Sequence, residues 1–315
     1  GMDPETSSGR ASLTIGPNQM SPVPEPYGSS DADLLAYPTV YRPDLFAGQV
    51  VLVSGGGSGL GKTTAALFGR LGATVAICGR DPAKLAAAEA FFTSAGIKTW
   101  SRAMTIRDPE AVEVMYDDLY RDLGRLDVVV NNAGGQFPQA AIDFSVKGWN
   151  AVVDTNLNGT WHMMQAAAKR WRDRGEPGNI VNIVAAIWRG LPQMAHTTAA
   201  RAGVIYASKT VAVEWAPLGI RVNCMAPGCC ESSAFGRYPP AGAETFAQSN
   251  PMQHAGDEFD VAEAVLYLAS PAAKFVTGEV LTVDGGQQMW GDPWPAGRPP
   301  EFELDYTKGR IREED

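Results

Sequence analysis

Residues 55 to 64 read GGGSGLGKTT, and glycines at this spacing do one kind of chemistry: without a Cβ in the way, successive backbone N–H groups can close on an anion. The strand QVVLVS (49 to 54) runs into the loop and a helix leaves it from Leu60, turning its positive end towards the same anion. Two spacings coexist. From Gly56 the run is G-x-x-x-x-G-K-T, ending at Gly61, Lys62 and Thr63, the pattern of a loop that cradles a nucleoside triphosphate. From Ser54 it is S-G-x-x-x-G-x-G, with Gly55, Gly59 and Gly61 placed for a dinucleotide pyrophosphate. A triphosphate loop calls for an acidic residue at the end of a neighbouring apolar strand to hold Mg²⁺, and DVVVN ends in Asn131 and Asn132 instead. Asp284 does end a strand, but far along the chain beside Gly285 and Gly286. The segment NNAG (131 to 134) offers amides and a glycine that can approach an adenine-ribose edge without adding charge.

Other chemistries find less support. Cys78, Cys224, Cys229 and Cys230 lack C-x-x-C spacing and the chain has 3 histidines, which argues against a zinc site. A net charge of -9 argues against bulk binding to nucleic acid or an anionic membrane, so a phosphate ligand must meet individual Arg or Lys residues. No leader-like segment and no apolar run of about 18 residues is present, so a cytoplasmic, reducing setting with free thiols is expected. The opening GMDPE has the composition of an expression remnant.

Residues 1 to 40, rich in Pro, Ser and Gly, read as a mostly irregular arm; 41 to 290 form one domain; 291 to 315 form a tail. Within the domain, apolar runs alternate with amphipathic helices, as a doubly wound parallel sheet with helices on both faces requires. The expected strands are 50 to 54, 74 to 78, 98 to 104, 127 to 131, 179 to 184, 221 to 226 and 280 to 284. The expected helices include Pro82 to Ala95, Pro109 to Leu123, Trp149 to Trp171, Thr197 to Ala216 and Asp260 to Leu268. The tail carries prolines and aromatics without either period, and reads as a surface extension or a substrate lid.

The order SGGGSGLG, then NNAG, then NCMAPG (223 to 228) resembles the short-chain dehydrogenase/reductase family, over roughly residues 45 to 288. The resemblance implies a Rossmann-like fold that binds NAD or NADP. It implies that Ser54, Gly55, Gly59, Leu60 and Gly61 hold the pyrophosphate, that Asn131, Ala133 and Gly134 line the adenosine half, and that Pro227 and Gly228 meet the nicotinamide amide. At the end of the second strand, CGRD (78 to 81) has Gly79 where an acidic residue would bind the ribose hydroxyls of NAD. Arg80 supplies a guanidinium for a 2′-phosphate, so NADPH is the expected cofactor; alternatively Arg80 only opens a solvated helix capped by Asp81.

The family's proton carriers are Ser, Tyr and Lys, the last two at i and i+4 on one helix. In AHTTAARAG (195 to 203) Arg201 falls at the Lys position and Thr197 at the Tyr position, and the Ser position falls at Val184 or Ala185. YASK (206 to 209) has i, i+3 spacing, and Lys209 lies too close to Asn223, so Tyr206 and Lys209 read as ordinary helix residues. Stretches such as NGTW (158 to 161), AVEWAPLGIRVNCMAPG (212 to 228) and AVLYLASPAAKFVTGEVLTVDGG (264 to 286) resemble the 2,4-dienoyl-CoA reductases, particularly the peroxisomal type, although those keep a Lys where Arg201 stands. This implies reduction of an unsaturated acyl-CoA, with Asn156 in DTNLNG donating to a dienolate, Arg201 holding the nicotinamide ribose and lending charge, and Thr197 adding a hydroxyl. Alternatively, Asn156 could bond helix backbone, Thr197 could cap its helix, and Trp188 and His196 could pack or bind. Arg189, Lys147 and Arg237 are scattered candidates for the CoA phosphates. Family membership further implies a homotetramer or homodimer built on the two long helices. Other outcomes are an oxidoreductase of another carbonyl or alcohol, or a dinucleotide-binding protein with little redox activity.

Overall fold

Strands form where β-branched residues run without interruption, because both faces of each strand are to be covered. In β1 (Val50–Ser54) every residue is buried, and alternate side chains serve opposite layers. Val51 and Val53 join one apolar cluster with Leu67, Phe68 and Val265, while Val50 and Leu52 join the other with Met115, Met163 and Trp171. The computed structural model describes residues 27–233 and 246–289. The remaining strands are β2 (Thr74–Gly79), β3 (Thr99–Ala103), β4 (Val128–Asn131), β5 (Gly178–Ile183), β6 (Ile220–Pro227) and β7 (Val280–Val283). They form one parallel sheet in the order β3-β2-β1-β4-β5-β6-β7. The reversal between β1 and β4 is the switch point at which such sheets open a crevice beyond their carboxyl ends.

Helices α2 (Gly59–Arg70) and α3 (Pro82–Ser94) cover one face together with α8 (Glu258–Ala269). Helices α4 (Pro109–Leu123), α6 (Thr160–Arg174) and α7 (Ala195–Trp215) cover the other. Local chemistry sets their ends. Asp108 accepts hydrogen bonds from the Glu110 and Ala111 N–H groups, Pro109 fills the first turn, and Gly124 closes α4 at φ 77°.

Three expectations are modified. The span Trp149 to Trp171 is not one regular helix: α5 (Val146–Val153) passes through a π-helical turn, Asp154–Gly159, into α6, and the wider turn buries Asn156. Part of the arm is ordered, since α1 (Asp31–Ala36) has a reciprocal capping box between Ser30 and Asp33 and buries Leu34. Helix α7 begins two residues before Thr197. The tail after 290 and Arg237 lie outside the described residues.

Candidate active site

The loop between β1 and α2 is shaped by close approach. A Cβ on Gly61 would run into the Gly55 carbonyl oxygen and the Asn132 amide, and Gly55 and Gly59 sit at φ 71° and 52°. Ser54 holds the neighbouring loop to the strand: its Oγ accepts from the N–H groups of Asn132 (3.1 Å) and Ala133 (3.0 Å). A cleft of about 570 Å³ follows, lined by Gly55, Gly57, Ser58, Gly79, Arg80 and Gly134 among others, with Leu60 and Gly61 in the first turn of the helix beside it. Arg80 is exposed at its edge with Lys84, and no ion pair engages Arg80 among the described residues. Asp81 does cap α3, accepting from the Ala83 and Lys84 N–H groups. Asn131 faces away from the cleft, its amide donating to Asn182 Oδ1 at 2.8 Å inside the sheet, while Ala133 and Gly134 line the cleft. Pro227 ends β6, and Gly228 packs so closely on Asp284 that a Cβ would lie 2.6 Å from its Cβ.

At the inner end of the crevice, the three residues placed at the family's reactive positions do come together. The π-helical turn aims Asn156 at the loop after NNAG, where its Oδ1 accepts from the Gly135 N–H (3.0 Å). Its Nδ2 donates to the Gly135 carbonyl (3.0 Å) and to Thr197 Oγ1 (3.0 Å), so both of its N–H bonds are occupied. Thr197 Oγ1 in turn donates to Gln136 Oε1 at 3.1 Å, a residue exposed to solvent. Arg201, one turn along α7, is 6% exposed; a Cβ on Gly134 would collide with its guanidinium, and its Nη1 has no hydrogen-bond partner. Burial pushes its pKa down to about 10, with Cys224 acting weakly in the opposite direction, so it remains charged near neutrality. Val184 is buried and Ala185 offers no hydroxyl. Tyr206 is 69% exposed with the Lys209 ammonium 5.4 Å from its ring centre, so Tyr206 and Lys209 lie on the solvent face of α7, while Ser208 between them is buried and accepts from Asn182 Nδ2 at 2.9 Å.

Gln136, Lys84 and Thr105 join the site without any signal in the sequence; Gln136 reaches Thr197 across 61 residues. His196 is fully buried and packs edge-on against Phe137 at 4.7 Å and against Phe144 at 4.4 Å, and burial lowers its pKa. Trp188 is half-exposed. The Cys230 thiol is pushed up to about 12, chiefly by burial, which argues against nucleophilic use.

A seven-stranded parallel sheet flanked by helices, with a glycine-rich turn opening onto its crevice, defines a Rossmann-like, doubly wound fold. A family profile described as Enoyl-(Acyl carrier protein) reductase matches residues 55–288. The chain is 35% identical over 276 residues to a peroxisomal 2,4-dienoyl-CoA reductase [(3E)-enoyl-CoA-producing] of Danio rerio, covering 86% of this chain and 91% of the relative. It is 32% identical over 242 residues to a (2S)-[(R)-hydroxy(phenyl)methyl]succinyl-CoA dehydrogenase subunit of Thauera aromatica, covering 77% and 97%. Among solved structures, a citronellol catabolism dehydrogenase of Pseudomonas aeruginosa superposes with a TM-score of 0.72 at 35% identity, covering 80% of this chain and 100% of that one. The chain belongs to the short-chain dehydrogenase/reductase family and is an oxidoreductase whose family uses a nicotinamide dinucleotide. Its similarity to the 2,4-dienoyl-CoA reductases supports an acyl-CoA reductase within that family.

Proposed function

We propose that this protein is an NADPH-dependent reductase of an unsaturated acyl-CoA thioester of the 2,4-dienoyl type. The observation that carries the reading is the buried guanidinium of Arg201, whose Nη1 has no hydrogen-bond partner, beside a fully bonded Asn156–Thr197 pair: a site equipped to hold an oxyanion, without a phenol to relay a proton. The glycine cradle and the cleft fit a dinucleotide, and the bound cofactor would supply a hydride. Hydride addition to a distal carbon of a conjugated thioester leaves negative charge on the thioester oxygen, and a proton delivered from solvent to carbon completes the reduction. Arg201 faces that charge while holding the nicotinamide ribose. Asn156, with both N–H bonds engaged, contributes by fixing Thr197, whose hydroxyl donates to exposed Gln136 and would have to exchange that partner for the oxyanion. The exposed guanidinium of Arg80 supports NADPH over NADH.

Exposed Tyr206 and Val213 on α7 favour a homotetramer or homodimer, which sedimentation would test. The net charge favours small-molecule ligands over nucleic acid, and no helix among the described residues is long and apolar enough to cross a membrane. Four unpaired cysteines favour a reducing cytoplasmic setting, although several relatives carry peroxisomal names. A second reading, oxidation or reduction of another alcohol or carbonyl, draws on the dehydrogenase names of two relatives, but needs a proton donor that Thr197 and Arg201 do not supply. The discriminating experiment compares kcat/KM for NADPH and NADH with a short 2,4-dienoyl-CoA, in wild type and Arg80→Asp. NADPH preference that reverses in the variant supports the reading; an unchanged preference removes Arg80 from it.

A further inference from the structure

Lys62 and Thr63, the residues that complete the triphosphate pattern, are not turned to the phosphate loop at all. Lys62 Nζ lies 2.5 Å from Asp31 of the arm and 4.7 Å above the Phe91 ring. The Thr63 hydroxyl donates to Glu258 Oε2 at 3.0 Å. Glu258, the first residue of α8, is 2% exposed, and no ion pair reaches it among the described residues. Its carboxylate instead collects donors from three separate parts of the chain: besides Thr63, the Ser29 N–H at 3.1 Å on Oε2, and the Ser233 N–H at 3.3 Å on Oε1. The positive end of α8 favours an anion at this position.

This cluster abuts the cofactor loop. A Cβ on Gly59 would lie 3.1 Å from Ser233 Oγ and 3.7 Å from Glu258 Oε1, and a Cβ on Gly28 would lie 2.8 Å from the Ser233 nitrogen. The arm is held further along the same helices. Arg70 donates to the carbonyls of Leu34 (2.9 Å) and Tyr37 (2.8 Å), and the Tyr37 ring stacks on Phe259 of α8 at 3.9 Å. The arm therefore seats on α2 and α8, and one buried carboxylate joins it to the turn of α2 whose N–H groups would receive a pyrophosphate.

We propose that Lys62, Thr63 and Glu258 are positioning residues that clasp the N-terminal arm to the first turn of α2, so that arm docking and dinucleotide binding strengthen each other. The inference rests on the dinucleotide reading of the cleft. A clasp that fixes the first turn also fixes the N–H groups an anion must meet, and by linkage the anion then holds the arm. The carboxylate suits this role because all three partners donate; an amide in its place would turn an N–H towards one of them.

The test pairs NADPH affinity, measured by fluorescence titration, with hydrogen exchange of the amides of residues 29 to 36, with and without saturating NADPH. It uses the full-length wild type, Glu258→Gln and Asp31→Ala; the last alters a half-exposed side chain and guards against misfolding at the buried site. In the wild type NADPH should slow exchange across the arm, and both variants should bind NADPH about 5-fold or more weakly while losing that protection. A purely structural Glu258 would lower the melting temperature yet leave NADPH-dependent protection intact, which overturns the proposal, as would unchanged affinity in Asp31→Ala. A wild type that binds neither NADPH nor NADH overturns the dinucleotide reading itself and the inference with it.

Discussion

Arg201 holds a full charge at 6% exposure with one end of its guanidinium unbonded, an arrangement that folding alone disfavours. On the proposed function, that charge serves a bound ligand. Replacing it by an apolar side chain of similar length, Arg201→Met, is therefore expected to raise stability by roughly 1 kcal/mol or more in urea unfolding, while turnover is lost. A fall in stability would mean that the charge is already satisfied. His196 gives a pH signature. Its folded pKa lies below the unfolded value near 6.5, so the unfolded chain binds more protons and stability is lost as pH falls below about 6.5. Melting curves recorded from about pH 5 to about pH 8 should show a shallower acid slope in His196→Phe than in wild type. At this scale the sequence was partly legible. The Thr197 and Arg201 spacing is readable because a helix repeats every 3.6 residues. The bonding of Asn156 is not, because it depends on how the π-helical turn aims the side chain at Gly135.

At the scale of elements, the glycine loop and its helix are coupled by contact rather than by pattern. Gly61→Ala would thrust a methyl into the Gly55 carbonyl, so NADPH affinity should fall by about tenfold or more with the fold retained by circular dichroism. Undiminished binding would show that the loop shifts freely. A control sits at the other end of the same layer system: Asp108→Ala removes the cap of α4, and should cost about 0.5–2 kcal/mol without weakening NADPH. Strands and capped helices were readable within a residue or two because apolar periodicity and Asp-Pro starts are local signals. The π-helical turn and the helix in the arm were not. The first goes with contacts of Asn156 to Gly135 and Thr197, and the second with packing of Leu34, Tyr37 and Asp31, all against elements over 20 residues away in sequence.

At the scale of the whole molecule, the alternation of strands and helices pointed to a doubly wound sheet, and the order β3-β2-β1-β4-β5-β6-β7 agrees with it. What alternation does not specify is the placement of the N-terminal arm, whose contacts run to α2 and α8 and join chain segments more than 200 residues apart. The side chains of Lys62 and Thr63 engage Asp31 and Glu258 rather than the glycine loop, which favours the dinucleotide reading of that loop. The central claim, that this site reduces a conjugated acyl-CoA by holding an oxyanion, is tested most directly by following NADPH consumption with a short 2,4-dienoyl-CoA in wild type and Asn156→Ala. The expected result is turnover in the wild type that falls by about 10²-fold in the variant as Thr197 loses its anchor. Absence of turnover in a wild type that binds NADPH would contradict the claim.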